Sequence, residues 1–65
     1  MSLIPVSSSA ISAVGYDPFF GILTVRFRNG RVYDHPDVPW WVYVELMEAS
    51  SMGAYYNRCI RGRYR

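Results

Sequence analysis

Residues 22–35 read ILTVRFRNGRVYDH and predict a β-hairpin. Apolar and polar side chains alternate over residues 22–28, which is typical of a strand that buries one face. The dipeptide Asn29–Gly30 follows, and it is the strongest short-range signal for a hairpin turn. Residues 31–35 then return as the partner strand, which Pro36 ends because proline has no backbone N–H to donate.

The turn leaves two strand registers open. In a two-residue turn, Val25 faces Asp34, and an acid then falls on the apolar face. In a three-residue loop with a bulge at Gly30, Val25 faces Tyr33 instead. We favour the bulged register because burial of one face sets the register, and this pairing separates apolar from polar side chains better. It also turns Tyr33 and His35 toward the core.

The segments on either side of the hairpin predict one more strand and two helices. Residues 10–16 favour a strand that ends in a bend, whereas residues 1–9 contain a serine run and are expected to form a flexible lead. A first helix is predicted from about Pro39 to Ser50. A second helix is predicted from a cap at Ser50 or Ser51 to Gly62.

This order predicts an α+β fold with a three-stranded antiparallel sheet. The two C-terminal helices, in the order β-β-β-α-α, are expected to pack on one face of that sheet. A single domain is expected over residues 10–62, followed by a basic tail over residues 63–65. The chain of 65 residues leaves no room for a second domain.

Composition excludes several classes of protein. The single cysteine cannot form an internal disulfide, and one cysteine with one histidine cannot form a structural zinc site. No apolar run is long enough to span a membrane, and the N-terminus lacks the features of a signal peptide. We therefore expect a cytoplasmic protein with no metal, no cofactor and no membrane partner.

Catalysis is not indicated by any motif. The sequence has no glycine-rich phosphate loop and no paired-carboxylate or metal-ligand motif. His35 lies at a predicted strand end before a proline, where a structural role is expected. Cys59 lies in an apolar helical stripe and is expected to be buried and inert. We expect a protein that is not an enzyme.

The charge distribution points to nucleic acid as a ligand. All seven basic residues are arginines, and the last eight residues carry four of them with no acid. Arginine binds phosphates through its planar fork, and tyrosine rings stack on unpaired bases. The alternative is a solvated tail whose tyrosines belong to the core. The candidate nucleic-acid-binding residues are Arg58, Arg61, Arg63, Arg65, Arg26, Tyr55 and Tyr64.

A protein partner is the alternative hypothesis. Trp40, Trp41 and Val44 lie opposite the predicted core face of the first helix, and exposed tryptophans are typical of interfaces. A homodimer or a foreign protein could cover this face. Alternatively, the lead or the tail of the same chain could fold over one of the rings.

The order and spacing of several short segments resemble the KTSC domain, a module named after the C-terminus of some lysyl-tRNA synthetases. The resemblance runs from Val6 to Ile60. It rests on Ser9–Ile11, Val14–Asp17, Leu23–Phe27 with Asn29–Gly30, Tyr33, Val38–Pro39, Ala49–Ser51 with Gly53, Tyr55, Asn57 and Ile60. The second position of the family's Tyr-x-Tyr motif is His35 here. The resemblance implies a stand-alone bacterial or phage protein and RNA as the partner class, and it implies no catalytic residues.

Overall fold

The computed structural model describes residues 3–64. Four strands precede the helices: β1 (Ile4–Pro5), β2 (Ile11–Asp17), β3 (Ile22–Phe27) and β4 (Val32–His35). Two α-helices follow, α1 (Trp40–Glu48) and α2 (Met52–Tyr55). The second runs directly into a π-helical segment, Tyr56–Ile60. The predicted α+β class with an antiparallel sheet and two helices is confirmed.

The sheet has four strands in the order β1-β2-β3-β4, all antiparallel. The predicted count of three is wrong, because Ile4–Pro5 lies within the segment set aside as a lead and pairs with β2. A two-residue strand containing proline has no alternation to detect. The segment that follows this strand is held by Arg28, whose guanidinium donates to the carbonyl oxygens of Val6 (3.1 Å) and Ser8 (2.9 Å).

The hairpin has the bulged register. Val25 pairs with Tyr33 and Leu23 pairs with His35. The Phe27 N–H donates to the Arg31 carbonyl at 2.8 Å, which closes a three-residue loop. Gly30 has a φ of 93°, a conformation that a residue with a Cβ rarely adopts. The prediction from side-chain burial is confirmed.

The helices cover one face of the sheet and form the core with it. Inward side chains of β2 and β3 meet the inward face of α1 and the second helix. The fully or nearly buried apolar residues are Ile11, Ala13, Val14, Leu23, Val25, Val38, Val42, Leu46, Met52, Tyr55, Tyr56 and Ile60. The opposite face carries Thr24, whose hydroxyl donates to an Asp34 carboxylate oxygen at 2.6 Å, and the exposed side chains of Arg26 and Val32.

The second helix begins and ends as predicted but changes type between its ends. Ser51 caps it by accepting the Ala54 N–H at 3.3 Å, and Gly62 follows it with a φ of 78°. Between them, the Arg61 N–H donates to the Tyr56 carbonyl five residues earlier, at 2.8 Å. This π-type bond widens the turn. Tyr55, Tyr56 and Ile60 are all buried as a result.

Neither helix is long and apolar enough to cross a bilayer, as far as residues 3–64 are concerned. The same residues contain no group of three or more histidine, cysteine, aspartate or glutamate side chains placed to hold a metal ion.

Candidate nucleic-acid interface

Among the described C-terminal arginines, Arg58 and Arg61 line different depressions. Arg58 lies in a shallow depression beside Glu45 and Glu48 of α1. Arg61 lines a different groove, described below, and Arg63 is exposed beyond it. Arg65 lies outside the described residues. Arginines that are neighbours in sequence therefore face different chemical surroundings.

Of the two tyrosines proposed to accompany these arginines, Tyr55 is a core residue. Its hydroxyl donates to a Glu45 carboxylate oxygen at 2.7 Å. Burial, together with this hydrogen bond, raises the pKa of Tyr55 to about 12. Its ring offers no open face for stacking. Tyr64 is half-buried and packs against the edge of the core.

A groove of about 440 Å³ lies between the β3–β4 hairpin and the π-helical segment. We call it the aromatic groove. Its lining residues are Phe27, Asn29, Arg31, Tyr33, His35, Tyr56, Asn57 and Arg61. The hairpin supplies five of them, because the bulged register places Arg31, Tyr33 and His35 on the same side of β4.

Four rings in contact form the floor and one wall of the groove. Phe27 meets Tyr33 edge-on with ring centroids 5.7 Å apart, and it meets Tyr56 edge-on at 5.0 Å. The His35 ring follows at 5.4 Å from Tyr56. Such edge-to-face pairs hold each ring in a defined orientation. The result is a rigid apolar floor.

Tyr33 is the ring that this floor presents to solvent. It lies on the core-side face of β4, as predicted, yet its side chain is 42% exposed. The expectation that Tyr33 belongs to the core is wrong to this extent, because β4 is an edge strand and the second helix covers it at His35 but leaves Tyr33 partly open. His35, in contrast, is buried as expected.

The hydrogen bonds of His35 define its tautomer. Nδ1 lies 2.9 Å from the Tyr64 carbonyl oxygen, which can only accept, so Nδ1 carries a proton. Nε2 lies 2.8 Å from the Tyr56 hydroxyl, which donates to it in the neutral ring. Burial raises the pKa of Tyr56, so that hydroxyl keeps its proton. His35 thereby connects β4 to the second helix and to the tail.

Charge around the groove is positive. Arg31 and Arg61 are both exposed, and no carboxylate is among the residues that line the groove. A hydrogen bond with the Tyr33 side chain raises the pKa of Arg31. Asn29 and Asn57 add exposed amide groups that can both donate and accept hydrogen bonds. An exposed aromatic ring thus lies among two guanidinium groups and two amides.

The remaining predicted residues lie elsewhere. The Arg26 guanidinium donates to the Ser12 hydroxyl at 3.1 Å on the opposite face of the sheet. Trp40 and Trp41 are exposed near the start of α1, and Val44 is half-buried. Neither the N-terminal segment nor the tail, as far as they are described, covers the two tryptophans.

Sequence reasoning missed Arg31 and Tyr33 as binding candidates. The bulged register already predicts that the side chains of Arg31 and Tyr33 lie on the same side of the hairpin. Alternation predicts which side of the sheet a residue faces, but not how far the helices extend over that side, so it does not show that Tyr33 reaches solvent.

Comparisons with known proteins cover nearly all of the chain. The family model described as the KTSC domain matches residues 7–64. The crystal structure of a KTSC domain protein from Yersinia pestis has a TM-score of 0.95 at 34% identity, covering 98% of this chain and 90% of that one. A protein from Tsukamurella paurometabola is 44% identical over 61 residues, which are 94% of this chain and 91% of that protein. A lysine–tRNA ligase from Nostoc is 35% identical over 63 residues, which are 97% of this chain and 11% of the ligase.

Proposed function

The chain belongs to the KTSC domain family, and on that premise we propose that it is a small non-catalytic module that binds single-stranded RNA in the aromatic groove. The observation that carries the proposal is the position of the exposed Tyr33 ring among the guanidinium groups of Arg31 and Arg61.

The relatives support RNA as the ligand class. The Nostoc relative is named as a ligase that acts on tRNA, and the matching region is a small part of its length. A module that is part of such an enzyme lies close to its RNA substrate. This chain is similar to that region over nearly its full length.

The groove chemistry favours an unpaired strand. A base needs an open face to stack on Tyr33, and bases within a duplex already stack on their neighbours. The two arginines supply contacts to the phosphates on either side of such a base. The exposed amides of Asn29 and Asn57 would bond with base edges, Asn29 through its NH2 group because its Oδ1 already accepts the Arg31 N–H. The edge-to-face contacts that fix the floor reduce the entropy lost on binding.

The test is a titration of labelled oligouridine, followed by fluorescence anisotropy at two NaCl concentrations. We expect Tyr33→Ala to weaken binding by at least about fivefold, since one stacked base contributes about 1–3 kcal/mol. We expect the double variant Arg31→Gln/Arg61→Gln to reduce the slope of log K against log [NaCl] by about 1.4, the value for two phosphate contacts on a single strand.

Two matched variants control for loss of charge alone. Arg26→Gln removes an arginine from the opposite sheet face, and Arg58→Gln removes one beside the acids of α1. Both should leave the affinity within about twofold of the wild type if binding is confined to the groove. Failure of the wild type to bind at low salt, or an equal loss in Arg26→Gln, would contradict the proposal.

A further inference from the structure

Four large aromatic side chains are exposed and lie outside the groove. Phe19 is 94% exposed, Phe20 is 74% exposed, and Trp40 and Trp41 are 64% and 51% exposed. Burying a ring is among the largest stabilising contributions available to a small domain. The packing of the monomer therefore does not explain why four such rings are exposed to water.

The four residues lie at the same end of the molecule. Phe19 and Phe20 form the turn between β2 and β3, and the tryptophans begin α1. The two segments are joined where the Val38 N–H donates to the Gly21 carbonyl at 2.8 Å. A Cβ built on Gly21 would lie 3.4 Å from the Val38 oxygen, so the two backbones are in close contact. We call the four residues together the aromatic tip.

Hydrogen bonds hold the backbone of the turn that carries Phe19 and Phe20. An Asp17 carboxylate oxygen accepts the N–H groups of Phe19 (2.9 Å) and Phe20 (3.3 Å), and the Asp17 carbonyl accepts the Gly21 N–H at 2.8 Å. On the other segment, the Tyr16 hydroxyl donates to the Val38 carbonyl at 2.6 Å. A backbone that is already ordered does not have to be ordered again when a partner covers it, so only the side chains lose entropy.

We propose that the aromatic tip is the interface of a homodimer, in which two copies of the chain cover each other's rings. At about 200 Å² for a fully exposed aromatic side chain, the tip presents roughly 550 Å² per copy. A two-fold contact then buries about 1,100 Å² from these rings alone, which reaches the lower range of specific interfaces. The neighbouring Pro18 and Val44 would extend it.

A second copy fits this surface better than an anionic lipid or a nucleic acid does. Residues 16–21 and 36–48, which form the tip and its surroundings, contain four acids and no basic residue. Lipid-binding surfaces combine apolar side chains with lysine or arginine, and nucleic-acid surfaces also require positive charge. A small domain also gains stability by burying apolar surface between copies.

Sedimentation equilibrium over about 1 µM to 1 mM protein tests the proposal, because dimerisation depends on concentration. We expect a monomer–dimer equilibrium for the wild type, and Phe19→Glu should raise the dissociation constant by at least about tenfold. Phe19 is almost fully exposed, so this substitution does not remove a packing contact of the monomer. Circular dichroism checks that the variant is folded.

Val32→Glu is the matched control, because Val32 is 51% exposed like Trp41 but lies on the outer face of edge strand β4. It should dimerise like the wild type. Trp40 and Trp41 are the only tryptophans, so their emission should also shift to shorter wavelength as the wild-type concentration rises, and not in Phe19→Glu.

Three results would overturn the proposal. The first is a wild type that stays monomeric at the highest concentration. The second is a dimer that Val32→Glu weakens as much as Phe19→Glu does. The third is a monomer whose tip binds vesicles of phosphatidylcholine and phosphatidylglycerol in a flotation assay, with loss of binding in Phe19→Glu, since this would assign the tip to a lipid surface.

Discussion

Tyr55 and Tyr56 are adjacent in the chain, yet their hydroxyls bond to different elements. Tyr55 donates to Glu45 on α1, whereas Tyr56 donates to His35 on β4. Both side chains are buried, although neighbours on a helix point about 100° apart. Each tyrosine therefore connects the second helix to one other part of the fold.

The hydroxyl of Tyr55 should make stability depend on alkaline pH. Its pKa is about 12 in the folded protein, against an ordinary value of 10.0, so the folded state holds the proton more tightly. This contribution is fully present below pH 10 and is lost as the pH rises from 10 toward 12. Urea unfolding at pH 9 and pH 11 should show a larger loss of stability in the wild type than in Tyr55→Phe.

Tyr55→Phe is a suitable reference because it keeps the buried ring and removes only the titrating group. Both proteins share every other ionisable side chain, so the difference between them isolates the Tyr55 hydroxyl. Equal losses in the two proteins would mean that Tyr55 titrates normally in the folded state.

The π-helical segment and β4 form the two sides of the aromatic groove, and the contact between His35 and Tyr56 joins them. The π-type turn brings Tyr56 under the hairpin, while Asn57 and Arg61 remain exposed at the rim. Short π-helical turns occur frequently at functional sites, because they reposition side chains within an otherwise regular helix.

A double-mutant cycle should show that His35 and Tyr56 are energetically coupled. Either Tyr56→Phe or His35→Phe leaves a buried polar group without its partner, which costs about 1–3 kcal/mol. The double variant removes both groups. We therefore expect it to be less destabilised than the sum of the single variants, by at least about 0.5 kcal/mol in urea unfolding.

The control cycle pairs His35→Phe with Tyr55→Phe, whose hydroxyl bonds to Glu45 instead. These two substitutions should be additive. Additivity in the His35–Tyr56 cycle would show that this hydrogen bond does not stabilise the folded state.

The aromatic groove and the aromatic tip lie toward opposite ends of β3. The tip adjoins Ile22, where β3 begins, and the groove includes Phe27, where it ends. Strand β3 has six residues, which separates its ends by roughly 17 Å. A dimer formed through the tip would leave both grooves open at its outer ends, and it could bind one RNA strand at two places.

The two proposed interactions should respond differently to salt. Raising NaCl from about 50 mM to about 200 mM should weaken RNA binding roughly sevenfold if two phosphate contacts are made. Self-association through apolar rings should not weaken over the same range, because burial of apolar surface releases no counterions. Anisotropy and sedimentation on the same protein preparation measure both responses.

A dimer that dissociates as salt rises would indicate charged contacts in place of the aromatic tip. RNA binding that is insensitive to salt would exclude the two arginines as phosphate ligands.

The structural features that could be predicted from the sequence are those that depend on residues close together in the chain. Alternation over residues 22–28 and the turn at Asn29–Gly30 led to the correct hairpin register, because burial of one face and the conformational freedom of glycine act over a few residues. The Ser51 cap and the stop at Gly62 were predicted for the same reason. Strand β1 was not, since two residues carry no alternation and its pairing partner, β2, lies about nine residues further along the chain.

The candidate site depends on long-range packing. Whether Tyr33 is covered depends on how far the helices extend over an edge strand, and whether Arg58 and Arg61 share a surface depends on the rotation of the π-type turn between them. Local signals in the sequence determine the hairpin and the ends of the helices, and they identify side chains whose chemistry suits binding. Tertiary packing selects which of those residues reach solvent together, because side chains distant in sequence meet only after the helices have closed over the sheet.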